Sequence, residues 1–304
     1  MLQAARVPPN QQQALEHDAE TVAALLRSHP LALIQAGTYV SHGHCTLKDY
    51  PRIYEQQRKR LLAFRPSQAQ SRYRDVYATF EASAQIPQSS HLESVGDALA
   101  LLPILASCGP NNLPLLLLSE AAWKRAQKSS TYEVDESNLE SLTPWHISHL
   151  PPFLQIGSDL WDSFRVVEAV RLLKAFSLIS TDTHNGFLGV SMHPLTHAWA
   201  RDRLNPTEQH EYWVTTGCLV VTSCKDRTLW DNHHRQIQPH LQALTSWEMT
   251  NMFSSKPQLM ICRILVGCGS LLNFIQDDVK VFDLMDRLFN HLDLHRLEVD
   301  SRDG

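Results

Sequence analysis

Glycine is scarce in this 304-residue sequence, and none of its three main parts is strongly basic. There are 11 glycines against 16 prolines, whereas an average chain of this length would hold about 20 glycines. Few glycines argue against Gly-rich phosphate loops and against barrels or sandwiches with many tight turns. The composition therefore favours a fold that is mainly α-helical.

Positive charge is also limited. The formal net charge is -5, and residues 1–110, 111–205 and 206–304 carry net charges of +1, -2 and -4. Proteins that bind nucleic acid or anionic lipid usually present a basic patch. We therefore expect neither nucleic acid nor a membrane among the partners.

Long apolar runs are missing as well. No stretch approaches the roughly 18 apolar residues of a membrane span, and residues 1–13 are polar, unlike a signal peptide. The six cysteines form no C-x-x-C pair, and without a signal peptide we expect them to be reduced thiols. The sequence thus predicts a cytoplasmic protein.

Two segments come close to catalytic motifs and fail at the residues that matter. Residues 37–44 have a histidine where a phosphate-binding loop needs lysine. Ser191 lies in Gly189-Val-Ser-Met-His193, where a nucleophile elbow needs glycine at the last position. We therefore predict that the chain is not an enzyme.

Histidine is plentiful, with 16 copies. Three groups resemble partial metal sites: His42/His44/Cys45, His233/His234/His240 and His291/His295. None offers the complete ligand spacing of a known zinc motif. We expect no metal.

Apolar periodicity divides the chain into three parts, the first at residues 1–110. It predicts helices over 16–27, 31–40, 72–84 and 92–107, and another that begins near Thr46. Thr46 and Asp49 resemble a capping box in which aspartate replaces the usual glutamate.

The second part, residues 111–205, suggests a winged helix. A helix over 113–127 precedes a Ser-rich, acidic linker at 128–152, followed by an amphipathic helix at 161–176. Asn185-Gly186 predicts a hairpin between residues 178 and 192, and Pro194 suits the first position of a further helix.

The third part, residues 206–304, predicts helices near 206–223, 232–246, 257–276 and 279–294. Their lengths and spacing indicate antiparallel hairpins. We interpret them as the start of a helical repeat array.

Several segments, in this order, resemble the C-terminal part of an NB-ARC module of the STAND or NLR type. Residues 28–40 (SHPLALIQAGTYV) look like the GLPLAL segment, and residues 192–203 (MHPLTHAWARDR) look like the winged-helix end with its MHD-type histidine. Residues 238–244 (QPHLQAL) look like the first tetratricopeptide helices that follow this module in filamentous-fungal relatives. The resemblance implies a helical ARC-like subdomain, a winged helix and a TPR-like start.

The same resemblance implies two nucleotide contacts, Pro30 beside the adenine and His193 at a phosphate of ADP. The plainer interpretation is that Pro30 breaks a helix and His193 caps one. Ser28 stands where the family has glycine, Pro194 replaces the third MHD residue, and the Walker A and Walker B segments are absent. We therefore expect no cofactor for this chain alone, and ADP or ATP only in a full-length context.

The sequence thus predicts a non-catalytic regulatory module that resembles a truncated NLR-like signalling NTPase. Its expected partner is another protein or its own nucleotide-binding core. The alternative is a winged-helix DNA-binding regulator that uses Arg165, Arg171 and Lys174, although Glu168 offsets part of their charge. A hydrolase based on Ser191 would need a base and an oxyanion hole that the sequence does not reveal.

Overall fold

The computed structural model describes residues 2–3, 5–41, 43, 45–62, 93–131, 139, 142–154, 161, 163–184, 187–223, 234–253 and 257–300. Over these ranges the chain is mainly α-helical, with one antiparallel sheet of three strands. The prediction of a mainly α fold is confirmed. None of the helices in these ranges has the length and apolar character needed to cross a membrane.

In chain order the elements are α1 (Pro9–Gln12), α2 (Glu16–Leu25), α3 (Pro30–Ser41), α4 (Tyr50–Leu62), α5 (Glu93–Ser107), β1 (Leu113–Pro114), α6 (Leu115–Thr131), α7 (Pro144–Ser148), α8 (Phe164–Ala175), β2 (Ser180–His184), β3 (Phe187–Ser191), α9 (Pro194–Asp202), α10 (Pro206–Ser223), α11 (His234–Thr245), α12 (Met249–Met252), α13 (Gln258–Phe274) and α14 (Asp278–Asp300). Short 3-10 turns lie at Gln13–Leu15 and Pro152–Leu154.

These elements form two compact units. The first contains residues 1–90 together with residues 194–202, and the second contains residues 91–193 and 203–304. The boundaries predicted from the sequence, after residues 110 and 205, do not coincide with this division by packing and remain predictions. The helix predicted at 72–84 lies outside the described residues.

In the first unit, three tyrosines form the contact between α3 and α4. The ring of Tyr39 meets that of Tyr50 edge-on with centroids 6.4 Å apart, and Tyr50 stacks on Tyr54 at 6.3 Å. Tyr50 is buried, and its burial raises the pKa of its phenol well above the ordinary value. Its ring therefore packs as a neutral, largely apolar group.

The start of α4 shows the predicted cap in a modified form. The N–H of Asp49 donates to the hydroxyl of Thr46 at 3.2 Å, as in a capping box. The Thr46 hydroxyl in turn donates to the Asp49 carboxylate at 2.7 Å. The shorter aspartate thus bonds to the capping hydroxyl itself.

The sheet of the second unit has the strand order β1-β3-β2, with both pairs antiparallel. Leu113 lies opposite Val190, and His184 lies opposite Phe187 at the end of the hairpin. The predicted hairpin is confirmed, although its turn at residues 185–186 lies outside the described residues. The two-residue strand β1 was not predicted, because only its partner strand makes it a strand.

The predicted amphipathic helix is α8, which packs against α5. Its buried face carries Val166, Val170 and Leu173. These residues recur at the helical spacing that the sequence showed, so the inner face follows from periodicity alone.

Helices α10 and α13 cross closely where two glycines remove the side chains between them. A Cβ added to Gly217 would lie 2.6 Å from Cγ2 of Ile264, and one added to Gly267 would lie 2.6 Å from Cγ1 of Val221. Each helix therefore offers a glycine to a branched side chain of the other. Two of the few glycines in the chain are used for this approach.

The predicted linker at 128–152 is wrong in its second half. Residues 142–154 form α7 and a 3-10 turn, and their buried side chains are Leu142, Thr143, His146, Leu150, Phe153 and Leu154. Prolines here start short helices instead of marking an exposed connection. Residues 132–138 and 140–141 lie outside the described residues.

The third predicted part matches the structure more closely. The four predicted helices are α10, α11, α13 and α14, and the first of them spans the predicted 206–223. The short helix α12 was not predicted. Gln238 and Gln242 of α11 both donate to Oδ2 of Asp277, which lies between α13 and α14, at 2.9 and 3.1 Å.

Candidate functional site

Pro30 occupies the first position of α3, with its side chain exposed. It follows a turn in which the N–H of Ser28 donates to the carbonyl of Ala23 at 2.8 Å, and Ser28 has φ 54°. Nδ1 of His29 accepts a hydrogen bond from Ala32 N–H at 3.4 Å. The proline therefore stands at the start of α3, and His29 caps that helix.

His193 lies between β3 and α9, directly before Pro194 at the first position of that helix. Its side chain is half-buried. Pro30 belongs to the first compact unit and His193 to the second. Each residue lies beside a helix N-terminus, where partial positive charge favours an anion.

The three cations proposed for DNA contact lie on α8 and are engaged with neighbours in the second unit. Arg165 forms a two-pronged ion pair with Asp97 of α5, at 2.8 Å from Nε and 2.7 Å from Nη2. Arg171 bonds to Glu168 at 2.8 Å, and Lys174 donates to the hydroxyl of Thr181 at 2.7 Å.

The Asp97 pair is the strongest of these contacts because its carboxylate is 3% exposed. A buried carboxylate is costly unless it is paired and hydrogen-bonded, and two parallel bonds from one guanidinium satisfy it well. Glu93 adds a third contact, 3.1 Å from Nη1 of Arg165. Arg165 therefore joins α8 to α5, instead of projecting as a contact for phosphate.

The second unit also holds a cleft of about 620 Å³ between α5, α10 and residues 145–152. Its lining residues are Ala100, Ile104, Trp145, Ser148, His149, Leu150, Pro151, Pro152, Thr207, His210, Glu211, Tyr212, Val214 and Thr215. Clefts of this size with mixed aromatic and polar walls commonly bind ligands or peptide side chains.

The polar groups of the cleft are largely committed to its walls. The His149 ring lies 4.0 Å from the Trp145 ring between centroids, and its Nδ1 is 2.7 Å from the Trp145 carbonyl. Nε2 of His210 is 2.9 Å from the Met252 carbonyl. Because only an imidazole N–H can donate to a carbonyl, each contact places a ring N–H at the nitrogen that faces the carbonyl. Burial, with help from nearby glutamates, raises the pKa of Tyr212.

His146 attaches the wall of the cleft to α13. Its Nδ1 accepts from the Thr143 N–H at 3.2 Å, and its Nε2 is 3.1 Å from the Met260 carbonyl. The ring is fully buried. Burial, more than the charge of nearby Arg263, lowers the pKa of His146 to about 4. The ring is thus a neutral structural link at physiological pH.

Among the described residues, Ser191 and the buried thiols of Cys108, Cys218 and Cys268 lie in surroundings that do not activate nucleophiles. Burial raises the pKa of Cys108 and Cys268 to about 12 and also raises the pKa of Cys218. A reactive thiol needs the opposite shift. The hydroxyl of Ser191 lies 2.9 Å from that of Ser180, on the neighbouring strand of the hairpin.

The histidine groups that resembled metal sites are only partly within the described residues. His240 is buried with Nε2 3.4 Å from the Asn112 carbonyl, and the ring of His291 stacks on Phe253 at 4.8 Å. Across the ranges that the structure describes, no three His, Cys, Asp or Glu side chains converge as a metal-binding group. His42, His44, His233 and the side chains of His234 and His295 lie outside those ranges.

Sequence reasoning missed the cleft because it treated residues 128–152 as a linker. One signal was present: Thr143-Pro144 is a capping residue followed by proline, the same signature that correctly predicted the start of α10 at Asn205-Pro206. The pairing of Arg165 with Asp97 joins residues 68 positions apart, and no local pattern shows it. Comparison of the chain with protein-family models, curated proteins and solved structures gives no significant match.

Proposed function

We propose that the chain is a non-catalytic regulatory module that binds proteins, built like the part of an NLR-type signalling NTPase that follows its nucleotide-binding core. The observation that carries the proposal is the use of the α8 cations. All three make contacts within the second unit. Arg165 is committed to the buried Asp97 of α5, while Arg171 and Lys174 make exposed contacts with Glu168 and Thr181.

The order of elements in the second unit supports the winged-helix part of the proposal. Helix α5, strand β1, helices α6 and α8, and the β2–β3 hairpin follow one another, and the strands lie in the order β1-β3-β2. We interpret this order as that of a winged helix, with the short α7 inserted before α8. The hairpin then corresponds to the wing.

The turn before Pro30 supports the resemblance to the GLPLAL segment. Ser28 stands at the position of the family's first glycine, and its φ of 54° lies in the left-handed region that favours glycine. The backbone at this position therefore has a conformation that glycine adopts more readily than serine. Serine accepts it at a cost in stability.

The last helices support a TPR-like interpretation. Leu241 and Leu244 of the segment at 238–244 are buried, while its glutamines bond to Asp277. Helices α13 and α14 are joined by a short turn and pack on each other. Stacked helical pairs of this kind present extended surfaces to protein partners.

Calorimetry with ADP and with ATP in the presence of magnesium tests the proposal. We expect no binding heat and no release of phosphate, since the sequence has no Walker A lysine or Walker B segment. Binding that is lost in His193→Ala and kept in His17→Ala, an exposed histidine on α2, would show that this chain is a nucleotide switch in itself.

The winged-helix DNA-binding regulator is the alternative, and the order of strands and helices is the observation that favours it. It requires Arg171 or Lys174 to exchange its present partner for phosphate. Arg165 would have to leave a buried carboxylate without a partner, which costs far more than breaking an exposed pair.

A further inference from the structure

Helix α14 has two apolar faces, of which only one is covered in the second unit. Leu284 and Leu288 are buried, and the helix packs against α13 and α12. On another side, Val279 is 77%, Phe282 75% and Phe289 63% exposed. An amphipathic helix needs only one apolar face for its own fold.

The exposed side chains form one continuous strip. Positions 279, 282, 286 and 289 recur at intervals of three, four and three, which places them along one side of an α-helix. The two phenylalanines are seven residues apart, about 10 Å along the helix axis. Clustered exposed aromatics of this size mark interaction surfaces more often than chance exposure does. We call Val279, Phe282, Asp286 and Phe289 the outer strip.

Charge on the outer strip is acidic. Asp286 lies between the two phenylalanines, and Asp283 and Asp278 are exposed beside them. Arg287 neutralises part of this charge, because its Nε lies 3.2 Å from Oδ2 of Asp283. Its Nη1 lies 3.1 Å from the Trp247 carbonyl and its Nη2 2.6 Å from the Thr245 carbonyl. The acidic groups that remain are Asp286 on the strip itself and Asp278 beside it. A partner must therefore supply positive charge between apolar side chains.

A second copy of this chain fits the outer strip poorly. Antiparallel packing that sets Phe282 of one copy against Phe289 of the other brings the two Asp286 carboxylates together near the symmetry axis. Parallel packing in register also places each aspartate opposite its own copy. Like charges at the centre of a contact are unfavourable in either case.

We propose that the outer strip binds a basic amphipathic helix of a partner protein. Apolar side chains of that helix, spaced at i, i+3 or i+4, and i+7, pack on Phe282 and Phe289, and a lysine or arginine between them pairs with Asp286. The proposal deepens the protein-binding function proposed above and rests on it. It names the surface of α14 that makes the contact and the chemistry of the segment that it takes.

Fluorescence anisotropy of a labelled model peptide tests the proposal with the full chain. The probe is a helical peptide of about 20 residues with leucine at heptad positions a and d, lysine at e and g, and alanine elsewhere. Its matched control has glutamate in place of every lysine. We expect the lysine peptide to bind, more weakly as salt rises, and the glutamate peptide not to bind.

Variants of α14 assign the binding to the outer strip. Phe282→Asp with Phe289→Asp should weaken binding about tenfold or more, because aromatic anchors dominate such contacts. Asp286→Lys should weaken binding of the lysine peptide and strengthen binding of the glutamate peptide. Phe164→Asp removes another phenylalanine of the second unit, 64% exposed on α8, and should leave binding unchanged.

Three results would overturn the proposal. The first is a lysine peptide that does not bind, or that binds equally to all variants. The second is a dimer in sedimentation equilibrium that becomes monomeric in the Phe282→Asp, Phe289→Asp variant, since it would assign the strip to a second copy. The third is a large loss of melting temperature in that variant, since it would mean that the chain covers the strip itself. Nucleotide or DNA binding would instead contradict the proposed function and leave this peptide result as it stands.

Discussion

At the scale of single residues, burial decides the protonation state of His146, and hydrogen bonds decide its tautomer. Thr143 N–H donates to Nδ1, so the ring proton resides on Nε2 and points to the Met260 carbonyl. A second proton would have to displace the Thr143 N–H in a buried site. Burial therefore holds the pKa near 4, below the ordinary 6.5.

Acid should unfold the second unit partly through this ring. Because the folded pKa is the lower one, the neutral ring contributes its full stability above pH 6.5, and that contribution is lost as pH falls towards 4. The shift corresponds to about 3 kcal/mol at most. The free energy of unfolding, measured with urea between pH 7 and 4, should depend less on pH in His146→Gln than in the native chain. His17→Gln, on an exposed face, should keep the native pH dependence, and an unchanged slope in His146→Gln would contradict the assignment.

Replacement of Ser28 by glycine should stabilise the folded chain. Its φ of 54° is unfavourable for a residue with a Cβ, and glycine removes that cost, so Ser28→Gly should raise the free energy of unfolding by about 1 kcal/mol. Ser270→Gly, the same change inside α13, should lower it by a similar amount. Thermal unfolding of the two variants measures both signs. A loss of stability in Ser28→Gly would show that the turn has another conformation.

At the scale of elements, the approach of α10 to α13 depends on glycine. Gly217→Ala places a methyl against Ile264, whose branched side chain has little freedom to move. We expect a loss of about 1–3 kcal/mol, the usual cost of overpacking. Gly96→Ala in α5 meets nothing within 4 Å and should stabilise the helix by about 0.5–1 kcal/mol. Chemical denaturation of both variants is the measurement, and equal effects would argue against the close crossing.

The connection between α8 and α5 should depend on Arg165 far more than on its neighbour Arg171. Arg165→Ala leaves Asp97 buried without its guanidinium, and we expect a loss of about 2–4 kcal/mol. Arg165→Ala with Asp97→Ala should recover part of the loss, which a double-mutant cycle measures. Arg171→Ala breaks only an exposed pair with Glu168 and should leave stability unchanged. Equal losses in the two arginine variants would mean that Asp97 is solvated.

The sequence predicts an element when the signal for it lies in neighbouring residues, and misses an element that depends on a distant contact. The inner face of α8, the β2–β3 hairpin and the start of α10 depend on neighbouring residues, and local periodicity, turn and cap patterns predict them. Strand β1 exists because Leu113 pairs with Val190, and no local pattern carries that contact. The helix at 144–148 was missed because prolines were taken to mark a linker.

The same contrast between local signals and distant contacts holds for the candidate site. Pro30 and His193 were predicted from short motifs, and both lie at helix N-termini. Their contacts with a nucleotide remain predictions. The cleft beside Trp145 and the outer strip of α14 depend on which helix faces are covered. Periodicity predicts that a helix has an apolar face, and only packing shows that Phe282 and Phe289 remain exposed.

At the scale of the whole molecule, the positions of the few glycines show what they are used for. Left-handed backbone after helices falls on Ser28, Ser177 and Gln276 as well as on Gly43, while Gly217 and Gly267 lie at a close crossing. The chain thus accepts strain at several of its turns and uses two of its glycines for helix contact. The cations of α8 also serve internal contacts, because each bonds to a residue of the second unit.

The most direct test of the proposed protein-binding function against the DNA-binding alternative is the anisotropy of a labelled DNA duplex, titrated with the full chain at low salt. Phosphate contacts make DNA binding strongest there. We predict no binding, because the cations of α8 are engaged and the second and third sequence parts are acidic. Binding that falls steeply with added salt and weakens in Arg171→Ala and Lys174→Ala would contradict this function.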